Sequence, residues 1–177
     1  MECIADSLGI SKRTLYQCFR NKRELLEECV TDCIEVNQRL IREKTGSSGN
    51  MEAMIIMCNE VYGLLASLYP AFRRDIICHE GILELLRDKY RTFLYDWGNK
   101  FFERAKAEKF ILEESNFGLV FSFFENYLLS LSISIREDKI QFAAYNHTLI
   151  TYLAGICTHS GREKLTNISI ENCYEKD

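Results

Sequence analysis

Proline is almost missing from this 177-residue chain, with a single one at position 70, and its nine glycines are too few for a fold of many short strands and turns. Long helices are expected in its place. Low-complexity, collagen-like and mucin-like classes fall away on the same counts, and no internal repeat is found. The opening residues Met1-Glu2-Cys3-Ile4-Ala5-Asp6 lack the basic and apolar blocks of a secretory leader. No Cys-x-x-Cys pair occurs among the eight cysteines (3, 18, 29, 33, 58, 78, 157 and 173), and none of the three His holds a ligand spacing with them. They read as reduced thiols serving as small core hydrophobes, so the expectation is a cytoplasmic protein with no cofactor and no metal.

What is present is ordinary globular material, with 47% hydrophobic and 27% charged residues, enough for one domain with a small appendage. Phe117 to Ile135 is apolar over 19 residues, close to a membrane-spanning length. Glu125 and Asn126 lie in its middle and four serines dilute it, so a buried helix of a bundle is expected, with no membrane association.

The charge is uneven. The chain carries −4 overall, yet Ile10 to Arg23 holds Lys12, Arg13, Arg20, Lys22 and Arg23 with no acid, leaving −9 for the rest. A compact basic patch on an acidic protein suits docking to an anion. Its local pattern is specific. Ile4, Ala5 and Leu8 share a helical face that Gly9 terminates. Ser11 is placed as the N-cap of a second short helix, with Ile10 and Leu15 as a hydrophobic staple. That helix turns Leu15, Cys18 and Phe19 inward and Lys12, Arg13, Thr14, Tyr16 and Gln17 outward. Two short helices joined by a glycine turn, with a basic outer face, make a helix-turn-helix. Asn21 with Glu24 then opens a third helix running to about Lys44, its first turn carrying Lys22 and Arg23, which suits a docked phosphate.

The run from Ile4 to Leu26, IADSLGISKRTLYQCFRNKRELL, closely resembles the DNA-binding motif of tetracycline-repressor (TetR) family regulators. The resemblance implies an all-α fold, a helix-turn-helix head over residues 1–30, and a helical ligand-binding and dimerising domain over 31–177. It places Ser11, Lys12, Arg13, Thr14, Tyr16, Gln17 and Lys22 at the DNA, with Tyr16 and Lys22 on phosphates. Arg13, Thr14 and Gln17 are the candidate base readers. It also implies a double-stranded DNA operator, a small-molecule effector and a homodimer joined through its last two long helices. In the family a further helix precedes this motif. Met1 falls where the second family helix starts, so an N-terminally shortened form is expected, with Leu8, Leu15 and Phe19 losing burial.

Beyond the head, Thr45 to Asn50 reads as a linker. Helices are expected from Met51 to before Pro70, over about 71–78, from Ile82 to about Phe110 after a break at Gly81, and over about 116–135 and 138–159. Leu129 to Ile135 alternates as a strand does, but no partner strand exists, so helix is preferred. The last helix is apolar on two faces, one with Ile140, Ala144, His147, Thr151 and Ala154 and the other with Phe142, Tyr145, Leu149, Tyr152 and Ile156. Such a helix needs cover on both sides, which predicts a four-helix dimer interface. Tyr62, Phe72, Tyr90, Trp97, Phe101, Phe121 and Tyr127 are candidates to line an aromatic effector cavity. Glu60 or Glu125 facing inward would bias the effector toward cations. A rival reading keeps the dimeric helical receptor or interaction module but gives it a degenerate head that binds no DNA. A helical enzyme is opposed by the lack of a paired nucleophile and base, since His79-Glu80, adjacent on a helix, point apart.

Overall fold

In the computed structural model, which describes residues 1–131 and 139–174, every regular element is helical. The head consists of α1 (Glu2–Ser7) and α2 (Lys12–Cys18), followed by α3 (Lys22–Thr45), which starts in the head and runs deep into the body. The chain continues as α4 (Asn50–Ser67), α5 (Pro70–Cys78) and α6 (Glu80–Leu85). A π-helical segment over Leu86–Arg91 leads into α7 (Thr92–Ala107), and α8 (Phe117–Leu131), α9 (Lys139–Gly155) and α10 (His159–Tyr174) complete it. Thr45 and Asn50 belong to helices, so the linker narrows to Gly46–Gly49.

Pro70 sits in the first turn of α5, where its missing N–H costs nothing, and it helps turn α5 through 107° from α4. The expected break at Gly81 occurs instead at His79, whose extended backbone ends α5. Gly81 lies inside α6. The helix expected from Ile82 to Phe110 is one helical run that widens to π hydrogen bonding over Leu86–Arg91 and stops at Ala107. The sequence gives no warning of the π segment. Residue periodicity barely changes across one widened turn, and such bulges arise from what packs against them.

The final helix differs most. It ends at Gly155, and α10 follows it where no further helix was expected. α10 contributes Leu165 and Ile168 to the core, too few apolar residues to declare a period. Its seat is tight. A side chain at Gly161 would put its Cβ 2.0 Å from the Phe110 carbonyl oxygen, so α10 rests directly on the backbone that follows α7. The alternating segment is helical through Leu131, and Ser132, Ser134 and Ile135 lie outside the described residues.

Two apolar clusters fill the body. One gathers α3 (Leu26, Val30, Ile34, Ile41) with Met57, Val61, Ile76, Ile82 and Tyr90. The other joins the start of α4 to α7, α8, α9 and α10, around Phe102, Phe117, Tyr145, Leu149 and Leu165. α9 turns Tyr145, Leu149 and Leu153 into that core, while Ala144, His147 and Thr151 of its other face stay exposed. Leu149 therefore belongs to the chain's own interior. No single helix among the described residues is long and apolar enough to cross a membrane.

Candidate nucleic-acid interface and internal cavity

The head is assembled by its own local chemistry. Gly9 takes φ +64°, the left-handed conformation that glycine adopts freely. The turn is closed by Gly9 N–H to the Asp6 carbonyl (3.1 Å) and Ile10 N–H to the Ala5 carbonyl (3.0 Å), a Schellman end for α1. Ser11 Oγ accepts from Thr14 N–H at 3.0 Å and caps α2, and the two hydroxyls share a 2.8 Å hydrogen bond. Packing of α1 on α2 keeps Ala5 and Leu15 out of water, with Leu15 only 3% exposed. Of the three residues expected to lose burial, Leu15 keeps it, Phe19 is half-buried and Leu8 is 62% exposed. Cys18, expected inside, is exposed, because the seven-residue α2 turns only Leu15 fully inward.

Ser11, Lys12, Arg13, Thr14, Tyr16, Gln17 and Lys22 all stand at the surface. They are not electrostatically equivalent. Lys12 Nζ is held by Glu2 of α1, which raises the lysine's pKa and lowers that of the carboxyl. Lys22 Nζ donates to Asp75 Oδ2 of α5 at 2.7 Å, and this bond holds the Asp75 carboxyl below the usual range. Arg23 Nε donates to Glu27 at 2.7 Å. Among the described residues, only Arg13 and Arg20 of the five cations lack an acidic partner. The third helix is capped as expected by Asn21 Oδ1, which accepts from Glu24 N–H at 2.9 Å. The Glu24 carboxylate reaches one residue further, to Arg20 N–H at 2.6 Å, and so ties α2's exit to α3's start.

A cavity of about 330 Å³ lies where the two apolar clusters meet, at the lower end of the ~300–1,000 Å³ usual for ligand sites. Of the seven aromatic candidates, Phe72, Tyr90 and Phe121 line it. Tyr62 stacks on Tyr145 with centroids 4.4 Å apart, and Tyr127 lies parallel to the same ring at 5.9 Å. Trp97 donates to Thr45 Oγ1 at 3.1 Å and meets Phe101 edge-on. Those four pack outside the cavity wall. The π segment supplies Leu86, Tyr90 and Arg91 to the wall, and the Tyr90 hydroxyl donates to Asn37 Oδ1 on α3.

The expected inward acid is neutralised. Glu125 does reach the cavity, but Arg91 Nε holds it at 2.6 Å, while Glu60 pairs with Lys44 away from the lining. The residue that the sequence reading missed is Arg73 of α5, which lines the cavity and is only 5% exposed. Its signal was present: Arg73 lies three residues before the buried Ile76, in phase with the apolar face. Among the described residues no cluster of His, Cys, Asp or Glu is arranged to hold a metal.

Residues 1–29 match the family of bacterial regulatory proteins described as the tetR family, over the segment that folds as α1, the turn, α2 and the start of α3. No curated protein and no solved structure matches the chain significantly.

Proposed function

We propose that the chain is a DNA-binding transcription regulator of the TetR family, acting as a homodimeric, effector-responsive repressor, a reading supported by the match of its first 29 residues to that family. The observation that carries the DNA assignment is the exposed outer face of α2, with Arg13, Tyr16 and Gln17 set beyond a glycine turn and a serine cap. Arg13 has no acid to satisfy within the described chain and so keeps its donors for a guanine edge or a phosphate, while Gln17 matches adenine. The division between head and body falls near residues 30/31, inside α3, so one rigid helix joins the two parts.

The dimer is supported by the outer faces of α8 and α9. Leu119 is 73% exposed and Phe123 42%, and Ala144, His147 and Thr151 of α9 are exposed as well. Two heads on a two-fold axis would meet major grooves one turn (~34–36 Å) apart, so the operator is near-palindromic. The effector reading rests on the cavity and on α5, which carries Arg73 in the cavity wall and Asp75 on Lys22 of the head. An effector that shifts α5 would alter how Lys22 is held, which is a biased two-state equilibrium between DNA-bound and free forms.

A gel-shift titration on the DNA upstream of the chain's own reading frame tests the central assignment. Arg13→Ala or Gln17→Ala is expected to cost ~1–3 kcal/mol on the preferred sequence and relax discrimination at one base pair. Lys22→Ala is expected to weaken all sequences alike and lower the salt slope by about one. Operator binding by all three variants as tight as the parent's would show the docking assignment to be wrong, and a parent that binds no operator would leave the degenerate-head reading in its place.

A further inference from the structure

We propose that the cavity binds an amphipathic anion, an unbranched aliphatic carboxylate whose headgroup is anchored by Arg73; this deepens the effector reading above and rests on it. Among the side chains described, Arg73 is the one charged side chain that is buried. Arginine cannot shed its proton to escape burial, so its charge must be met by a partner. The chain meets it only in part. Nη1 donates to the Leu65 carbonyl in the last turn of α4 at 2.8 Å, while Nε is shielded from solvent and has no hydrogen-bond partner. No carboxylate of the described residues stands within ion-pair distance of it.

The remaining lining decides the rest of the ligand. Val61, Leu64, Ile76, Leu128 and Leu153, with Phe124, give a wall suited to methylene groups. The other charges present, Arg91 and Glu125, satisfy each other, so the lining keeps one net positive charge, at Arg73. A carboxylate brings two acceptor oxygens to a planar fork that still has donors to give, and a charge-assisted bond in an apolar surround is strong. A neutral alcohol of equal length would bury the same area without meeting the charge, and a cation would add repulsion.

The test uses the full chain and three probes of matched length: decanoate, decanol and decyltrimethylammonium, titrated by calorimetry. In the parent, decanoate is expected to bind about tenfold or more tighter than decanol, the usual advantage of a hydrogen bond to a charged group. The ammonium is expected not to bind. In Arg73→Met, which keeps length and apolar volume, the acid preference is expected to vanish, with decanoate binding no tighter than decanol. Arg73→Lys keeps the charge but not the fork, and is expected to retain the acid preference with weaker binding. Equal affinity for acid and alcohol in the parent, or tighter binding of the ammonium, overturns the proposal without needing any variant. An acid preference that survives in Arg73→Met also overturns it, since Arg73 would then be only a cap on α4. Decanoate binding that leaves operator affinity unchanged supports the cavity assignment and removes the effector reading. Operator release by some other compound, with decanoate unbound, does the reverse.

Discussion

At the scale of single residues, the surroundings of a group decide its chemistry more than its identity does. Eight cysteines read alike in the sequence, but Cys3, Cys18 and Cys78 are exposed while burial pushes the Cys58 thiol up to about 12 and that of Cys157 up to about 11. Iodoacetamide at neutral pH is therefore expected to label the three exposed thiols and spare Cys58 and Cys157, as read by peptide mass mapping. The same shift makes a linkage prediction. The folded chain keeps the Cys58 proton after the unfolded chain, titrating near 9.0, has lost it, so this stabilisation is whole below pH 9 and fades as pH rises toward 12. Melting temperature is expected to fall over that window, and less steeply in Cys58→Ala; parallel curves for the two proteins would contradict it. Glu125 makes the same point, since an acid expected to draw cations is silenced by Arg91.

At the scale of elements, α5 is the piece on which the functional reading turns. It is nine residues long, starts at the only proline, and places Arg73 inward and Asp75 outward on one short helix. Lys22 is shared between two claims, the Asp75 carboxylate and the phosphate expected for its position. Asp75→Asn is expected to release Lys22 and remove a negative charge near the DNA, raising affinity for all sequences by about two- to tenfold at low salt. A salt titration of operator binding checks this, and an affinity that is unchanged or lower would show that the pair orients Lys22 for DNA rather than withholding it. Because Asp75 is held ionised by Lys22, its pairing is lost as pH falls through its lowered pKa, and the parent should approach the variant's behaviour only in acid. The pair is exposed, so its effect is on availability and not on global stability.

At the scale of the whole molecule, the two apolar clusters account for the inner faces of the body but leave Leu119 and Phe123 of α8 and Ala144, His147 and Thr151 of α9 at the surface. Sedimentation velocity at micromolar concentration is expected to show a dimer. The pair Leu119→Arg with Ala144→Arg, both at exposed positions, is expected to give a monomer of unchanged helical content by circular dichroism. A monomeric parent, or a variant that still dimerises, would place the partner surface elsewhere. Leu149 is no probe of assembly. It is wholly buried in the single chain, so a charge there reports on folding.

How far residue order alone reaches is clearest in the head. Turn, caps and outer face follow from contacts between residues no more than five apart: Gly9's φ, the Ile10-to-Ala5 bond, the Ser11 and Asn21 caps. Such features are written in local steric and hydrogen-bonding preferences, so they could be read position by position, as could the helical class and the bounds of α3 and α4. The interior could not. Which aromatics border the cavity, that Arg91 would neutralise Glu125 from 34 residues away, and that Lys22 would meet Asp75 from 53 residues away all depend on how α3, α4, α5, the π segment and α8 lie against one another. An aromatic with a helical period looks the same whether it fills a core or borders a space. The 107° turn at the α4–α5 junction and the widened turn at Leu86–Arg91 bring Arg73 into an apolar cavity, an environment set by packing between helices and not by the residues beside it in the chain.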